Sequence, residues 1–321
     1  MFARLRRPDP LIVLILISVA IAIIAPARGE FAEVFRWATS LAIAVLFYLY
    51  GARLSTQQAL AGLKHWRLHF TILAFTFLAY PLIGLALRPL NAFISEDIYL
   101  GILFLTLVPS TVQSSVAFTS IARGNVAGAI VSASVSNLVG VFVTPLLVMA
   151  LMGAGSGVAI DATVFGKIAL QLLLPFILGQ LTRRWVKDFA AHKATKIVDR
   201  GSIAMVVYSA FSSGVVAGIW SDVNLWEIIF LVLFAAVPVC SMLGLTRVIS
   251  ARLGFSRADR IAIEFCGSKK SLATGLPMAS VIFVGGGVSL GLLIVPLMIY
   301  HQVQLMICSW LAARYARREL S

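Results

Sequence analysis

Long apolar segments follow one another along almost the whole chain, and they constrain its fold more than any other feature of the sequence. We predict ten of them, at residues 11–26, 35–50, 68–87, 98–122, 126–152, 164–181, 203–219, 226–249, 258–283 and 288–312. A helix needs about 20 apolar residues to cross the ~30 Å hydrocarbon core of a bilayer. The pattern therefore predicts an all-α polytopic membrane protein with ten transmembrane helices, which together form one integral membrane domain.

The composition agrees with this interpretation and excludes several classes of protein. Charged residues make up 12% of the 321 positions and the mean hydropathy is +0.97, whereas a soluble domain carries roughly 25% charged residues. Ten spans leave almost no room for a soluble catalytic domain. Because Cys240, Cys266 and Cys308 lie in apolar stretches without the spacing of metal ligands, we expect neither a disulfide framework nor a zinc site, and no firm set of metal ligands is predicted.

Basic residues fall mostly on one side of the predicted spans. With the N-terminus in the cytoplasm, 20 of the 26 lysines and arginines lie on the cytoplasmic side and four on the other. This excess predicts a multi-pass protein of the plasma membrane, in a bacterium the inner membrane, with both termini cytoplasmic. The net charge of +13 then reflects topology, so we expect contact with membrane lipid and no nucleic-acid partner. The first apolar run is interpreted as a span, not as a cleaved signal peptide.

A weak internal repeat divides the chain into residues 1–160 and 161–321. The letters QSSVA in the fourth segment correspond to KKSLA in the ninth, and TPLLV in the fifth corresponds to VPLMI in the tenth. Five spans is an odd number, so the second half would enter the membrane from the opposite side, as in inverted-topology repeats. In such proteins the substrate site lies where broken helices of the two halves meet.

The fourth segment carries a polar cluster after a proline. Pro109 lacks a backbone donor and disturbs the helix one turn earlier. Gln113, Ser114 and Ser115 follow it, and Asn137 lies on the fifth segment. We predict that these four side chains bind an ion or a substrate. Small polar residues also pack membrane helices together, and that alternative stays open for each of them singly.

Two adjacent lysines lie in the middle of the ninth segment. Lys269 follows Arg260 by nine residues, which at a helical rise of ~1.5 Å per residue places it roughly 14 Å deep, near the bilayer centre. Charged residues at that depth face protein or water and mark functional sites, whereas snorkelling to an interface is the structural alternative. The predicted ion- or substrate-binding site also includes Glu264, Ser268, Lys270 and Ser271. The predicted helix-breaking residues here are Gly267, Gly275 and Pro277.

Two stretches of the chain resemble the bile acid:sodium symporter superfamily, above all its SBF-like branch. They read VPSTVQSSVAFTSIARGNVAGAIVSASVSNLVGVFVTPLL and EFCGSKKSLATGLPM, and the resemblance extends over nearly the whole chain. It implies a panel domain and a core domain, with the broken fourth and ninth segments crossing in the core. It also implies that substrate enters between the two domains by alternating access.

The sodium ligands of that superfamily carry over only in part. Sodium-coupled members have a glutamate in the ninth segment and a glutamine four positions later. Alignment on Gly267 places Phe265 and Lys269 at these two positions, and Glu264 lies one residue away. The Ser–Asn pair of the fourth segment corresponds to a Ser-Ser-Val stretch without asparagine. A lysine ammonium at a former ligand position would occupy the place of the cation.

The sequence therefore favours a secondary transporter, not an enzyme, that moves a small organic anion attracted by Lys269 and Lys270. No cofactor is expected, and the coupling ion is sodium, a proton or none. The main alternative is a sodium-dependent symporter of the bile-acid type with shifted ion ligands, namely Glu264, Ser114 and Ser115. A channel and a membrane-embedded sensor or enzyme are weaker alternatives. The oligomeric state is left open by the sequence.

Overall fold

The structure, a computed structural model, describes residues 10–53, 65–152, 169–192, 194–218, 225–283 and 288–317, and the regular elements in these ranges are all helical. The α-helices are, in chain order, α1 (Pro10–Ile24), α2 (Gly29–Arg53), α3 (Trp66–Ala74), α4 (Tyr80–Ala86), α5 (Glu96–Leu107), α6 (Gln113–Ile121), α7 (Val126–Met152), α8 (Leu174–Leu181), α9 (Arg183–Ala191), α10 (Thr195–Val216), α11 (Leu225–Arg252), α12 (Arg257–Gly267), α13 (Leu272–Ile282) and α14 (Leu290–Arg317). A π-helical turn, Phe75–Ala79, joins α3 to α4, and another, Ala169–Leu173, precedes α8. A short 3-10 turn, Arg88–Ala92, follows α4.

The described helices overlap all ten predicted apolar segments. Five helical stretches are long and apolar enough to cross a membrane, namely Gly29–Arg53, Trp66–Ala92, Val126–Met152, Ile229–Arg252 and Leu290–Arg317. These stretches indicate an integral, multi-pass membrane protein. The count of ten spans and the inverted repeat stay predictions. The start of the sixth segment (164–168), the boundary between the predicted halves and both chain ends lie outside the described residues.

Helix α5 is buried on all sides and lies at the centre of the fold. Every residue from Ile98 to Leu107 is buried, as expected for a helix that is apolar all round. Helix α14 packs closely along it, since a Cβ added to Gly101 would lie 2.4 Å from the carbonyl oxygen of Leu293. Helices α4 and α7 contact α5 elsewhere. The end of α5, where the fourth segment is interrupted, is therefore enclosed by protein.

Two glycines allow α2 and α8 to pack backbone against backbone. A Cβ on Gly51 would lie 2.0 Å from the carbonyl oxygen of Phe176, and one on Gly179 would lie 2.0 Å from that of Tyr48. Membrane helices that pack this closely use small residues at the contact, because lipid offers no hydrophobic driving force for association.

Replacing Gly179 with alanine is expected to destabilise this contact. The new methyl group would overlap a backbone carbonyl that cannot rotate away, and overpacking of this kind costs about 1–3 kcal/mol. Thermal unfolding of the purified protein measures the effect. Gly244→Ala in α11 is the matched control, because a Cβ there meets nothing within 4 Å. Equal melting temperatures for the two variants would contradict the proposed close packing.

Candidate functional site

The interruptions of the fourth and ninth segments meet each other. Helix α5 ends at Leu107, and Val108 takes the extended conformation that a following proline imposes, with ψ 155°. In the ninth segment α12 ends at Gly267, and α13 begins after Ser271, whose hydroxyl accepts a hydrogen bond from the backbone of Thr274. The Ser271 N–H donates to the carbonyl oxygen of Pro109 at 2.8 Å. The interruption of the ninth segment thus provides a hydrogen-bond donor for a backbone carbonyl of the fourth.

Hydroxyl groups of the fourth segment complete the end of α12. The Ser110 hydroxyl donates to the carbonyl of Cys266 at 2.6 Å, and the Ser115 hydroxyl donates to that of Phe265 at 3.0 Å. The last carbonyls of a helix have no partner within the helix, and buried ones must find one elsewhere. The hydroxyl of Ser115 is therefore engaged in holding the two segments together.

Asn137 of α7 joins both interruptions. Its side-chain amide donates to the carbonyl of Ser110 at 2.8 Å, and its carbonyl oxygen accepts from the Thr274 hydroxyl at 2.7 Å. Seven residues, or about two helical turns, further along α7, Thr144 donates to the carbonyl of Leu107. Polar residues of α7 thus hold the two interruptions in place. Asn137, one of the predicted site residues, is among them.

Lys270 is held by a cage of three backbone carbonyls. Its ammonium donates to the carbonyl oxygens of Thr76, Thr106 and Val108 at 2.7–2.8 Å, which uses all three of its donors. Its Nζ also lies 4.3 Å from the centre of the Tyr80 ring. The ammonium is completely buried. Lys270 therefore places its terminal nitrogen at the end of α5, where the helix dipole favours positive charge.

A proline and the interruption of the fourth segment explain why two of these carbonyls, those of Thr76 and Thr106, are free to accept. In a π-helical turn the carbonyl of Thr76 would pair with the N–H of residue 81, but residue 81 is proline and has none. The N–H of Ser110, which would bond to Thr106 in a continuous helix, donates to the hydroxyl of Ser136 instead. Lys270 thus supplies the hydrogen-bond donors that the distorted backbone no longer provides to these carbonyls.

Lys269 has a different environment. It is also completely buried, but within the described part of the chain its ammonium has no hydrogen-bond partner. Its Nζ lies 3.8 Å from the centre of the Phe118 ring and 5.7 Å from that of Phe265. Cation–π contact offsets part of the cost of burial, but the three donors of Lys269 stay unsatisfied.

Several other predicted site residues have hydrogen-bond partners of their own. Gln113 is exposed, and Ser114 shares a hydrogen bond with the Thr111 hydroxyl. The Glu264 carboxylate bonds to the Tyr315 hydroxyl, at 2.8 and 3.0 Å from its two oxygens. The Ser268 hydroxyl donates to the backbone carbonyl of Glu264. The Glu264 carboxylate is thus bonded to Tyr315.

The interruption of the ninth segment is shorter than the sequence analysis expects. Gly267 ends α12, but Gly275 and Pro277 lie inside α13. Pro277 removes one backbone hydrogen bond without ending the helix. Gly275 allows close packing instead, since a Cβ there would lie 2.6 Å from the side chain of Leu297 on α14. The interruption therefore falls at residues 268–271.

Several site residues are missed by sequence reasoning. Gln304 of α14 accepts from the N–H of Lys270 at 3.0 Å and donates to its carbonyl at 2.9 Å. Tyr80 and Tyr300 both direct their hydroxyls to the carbonyl of Ser268. An amide inside an apolar segment is a signal that could have identified Gln304. The tyrosines carry a weaker signal, because tyrosine is common in membrane helices near the interfaces.

The long apolar helices and the buried polar groups between two interrupted helices define a multi-pass membrane protein with a polar centre inside the membrane region. A model of the SBF-like CPA transporter family matches residues 9–317. The chain belongs to this family, which confirms the resemblance found in its sequence. It is accordingly a transporter of the bile acid:sodium symporter type and not an enzyme.

Individual relatives are similar over nearly their whole length. An uncharacterized protein of Pseudomonas aeruginosa is 51% identical over 316 residues, which cover 97% of this chain and 94% of the relative. A protein of Escherichia coli K12 named as a symporter, YfeH, is 44% identical over 316 residues, covering 97% and 93%. Sodium/bile acid cotransporter 7 of Mus musculus is 32% identical over 289 residues, covering 85% and 84%.

Proposed function

We propose that this protein is a secondary transporter that moves a small organic anion by alternating access, with the substrate bound where the two interruptions meet. The observation that carries the proposal is Lys269, a buried ammonium without a hydrogen-bond partner in the described residues. A buried charge is costly unless it is paired and hydrogen-bonded. A carboxylate or similar anion would supply the acceptors that Lys269 lacks.

The charges around Lys269 support an anionic substrate. An ion pair joins Arg53 to Asp199, far along the chain from the interruptions. Glu264 is the acid nearest to Lys269 along the ninth segment, and its carboxylate bonds to Tyr315. The positive charge of Lys269 is therefore available to a substrate. Ionisable residues inside membrane proteins commonly mark substrate pathways.

We also propose that sodium does not bind at the interruptions. Sodium is a hard cation that binds oxygen ligands, and here the carbonyls of Thr76, Thr106 and Val108 already bind the ammonium of Lys270. Ser115 and Glu264, two ligands of the sodium-dependent alternative, are also engaged, with Phe265 and Tyr315. Lys270 then takes the place of the cation, and a proton or no ion accompanies the substrate.

A thermal-shift experiment tests both proposals on the detergent-purified protein. Sodium chloride is compared with potassium chloride at matched ionic strength, and then a panel of carboxylates, sulfonates and bile salts is added. We expect no sodium-specific change. An anion that binds the folded protein at 100 times its Kd should stabilise it by about 2.7 kcal/mol, and counterflow in proteoliposomes then tests whether that anion is transported.

A sodium-specific rise in melting temperature would contradict the proposed role of Lys270. It would favour sodium-dependent symport through Glu264, Ser114 and Ser115, which the name sodium/bile acid cotransporter 7 suggests for some relatives. No stabilisation by any anion, together with transport of a neutral compound, would overturn the role of Lys269.

For the orientation, we propose a bacterial inner-membrane protein with both termini in the cytoplasm. The 20 basic residues assigned to that side support this topology. A reporter fused after Ser321 that is active in the periplasm would contradict it.

A further inference from the structure

A polar cavity of about 300 Å³ opens between α11, α12 and α14. Its lining residues are Arg247, Arg257, Arg260, Ile261, Glu264 and Tyr315. Along α12 its lining residues run from Arg257 in the first turn to Glu264 near the last turn, before the interruption at residues 268–271. Neither Lys269 nor Lys270 lines it, so the cavity is distinct from the site proposed for the substrate.

The cavity carries an excess of positive charge. Three guanidinium groups line it against one carboxylate, and that carboxylate already bonds to the Tyr315 hydroxyl. In the part of the chain that the structure describes, neither Arg247 nor Arg260 forms an ion pair within 4 Å. Asp259, the other acid of α12, bonds to Asn125 and Ser256. Glu264 is thus the one acid that lines the cavity, and it offsets only part of the charge of the three guanidinium groups.

The chemistry of the lining residues identifies a class of ligand. Guanidinium groups match the geometry of phosphate oxygens through paired hydrogen bonds. The first turn of α12, which begins at Arg257, adds the partial positive charge of a helix N-terminus. Basic pockets between transmembrane helices on the cytoplasmic side bind phospholipid head groups. We propose that this cavity binds a phosphate group, provided either by an anionic phospholipid or by a soluble phosphate compound.

Thermal unfolding of the full-length purified protein tests this site with two probes. Potassium phosphate is compared with potassium chloride at equal ionic strength, and dihexanoyl phosphatidylglycerol is compared with dihexanoyl phosphatidylcholine. We expect a saturable rise in melting temperature with phosphate, phosphatidylglycerol or both. A response to phosphatidylglycerol alone identifies a lipid head group as the ligand, and a response to inorganic phosphate identifies a soluble source.

Variants show whether the cavity is responsible for that response. Arg260→Gln should lower the affinity for the probe that gives a response about tenfold, because a charge-assisted hydrogen bond is lost. Arg252→Gln is the control, since Arg252 is exposed in the last turn of α11 and does not line the cavity. Glu264→Gln should strengthen binding, because it removes the one negative charge and keeps an acceptor for Tyr315.

Two results would overturn the proposal. One is the absence of a saturable response to both probes. The other is an equal loss of affinity in Arg252→Gln and Arg260→Gln, which would mean that the response comes from general surface charge. The test does not depend on transport, so its outcome is independent of the function proposed above.

Discussion

Replacing Lys270 with methionine should strongly destabilise the folded protein. Methionine has a similar length but donates no hydrogen bond, so the buried carbonyls of Thr76, Thr106 and Val108 would lose their shared donor. Each unsatisfied buried acceptor costs about 1–3 kcal/mol, and we expect a total loss of several kcal/mol. Thermal unfolding in detergent measures it. Lys187→Met, at an exposed position of α9, should change stability by less than about 0.5 kcal/mol.

Chemical rescue distinguishes loss of the cation from general damage. Lys270→Ala leaves space beside the same three carbonyls, so ammonium or methylammonium ions should restore part of the lost melting temperature. Tetramethylammonium, which has no N–H donor, should not. A Lys270→Met protein that melts within a degree of the wild type, or equal rescue by all three ions, would mean that the carbonyl cage does not require a cationic donor.

The second large effect is expected for Lys269→Met. This substitution should preserve or raise the stability of the folded protein, whereas Lys270→Met should lower it. Lys269→Met removes a buried charge whose donors are unsatisfied, and it keeps an apolar side chain against Phe118 and Phe265. Unpaired buried charges are destabilising, so the variant should melt at the same temperature as the wild type or a higher one. Uptake of the anionic substrate should fall at least about tenfold, because each 1.4 kcal/mol of lost interaction is a factor of ten.

The combination of the two readouts identifies the role of Lys269. Preserved folding with lost uptake indicates a substrate-binding charge. If Lys269→Met unfolds as readily as Lys270→Met, the lysine is structural. If both folding and uptake are preserved, the substrate site lies elsewhere in the protein. Lys187→Met again serves as the control, in the same proteoliposome assay.

Much of this arrangement could be predicted because apolar length and buried charge are local properties of a sequence. The ten apolar runs overlap most of the described helices, although α9 lies outside them, and Pro109 and Gly267 marked the two interruptions. The different environments of Lys269 and Lys270 could not be predicted, because they depend on the direction in which each side chain leaves residues 268–271. The acceptors of Lys270 are backbone carbonyls, which have no signature in the residue types themselves.

The same limit explains the errors of detail. Gly275 and Pro277 are residue types that commonly break helices, but α13 continues through both, and Leu297 packs closely against Gly275. Glu264 lies one residue from the position of an expected ligand, and in the folded chain it bonds to Tyr315, 51 positions further along. Contacts over such separations depend on the tertiary structure.

The hydrogen bonds between the two interruptions have a consequence for biosynthesis. Ser110 and its acceptor on Cys266 are 156 positions apart. At a synthesis rate of about 5–20 residues per second, the fourth segment would wait on the order of 10–30 s for its partner. During that interval its unpaired backbone groups need another partner, such as water, a lipid head group or an insertion chaperone. The fold thus makes the first half of the chain dependent on the second before its helices can reach their final positions in the bilayer.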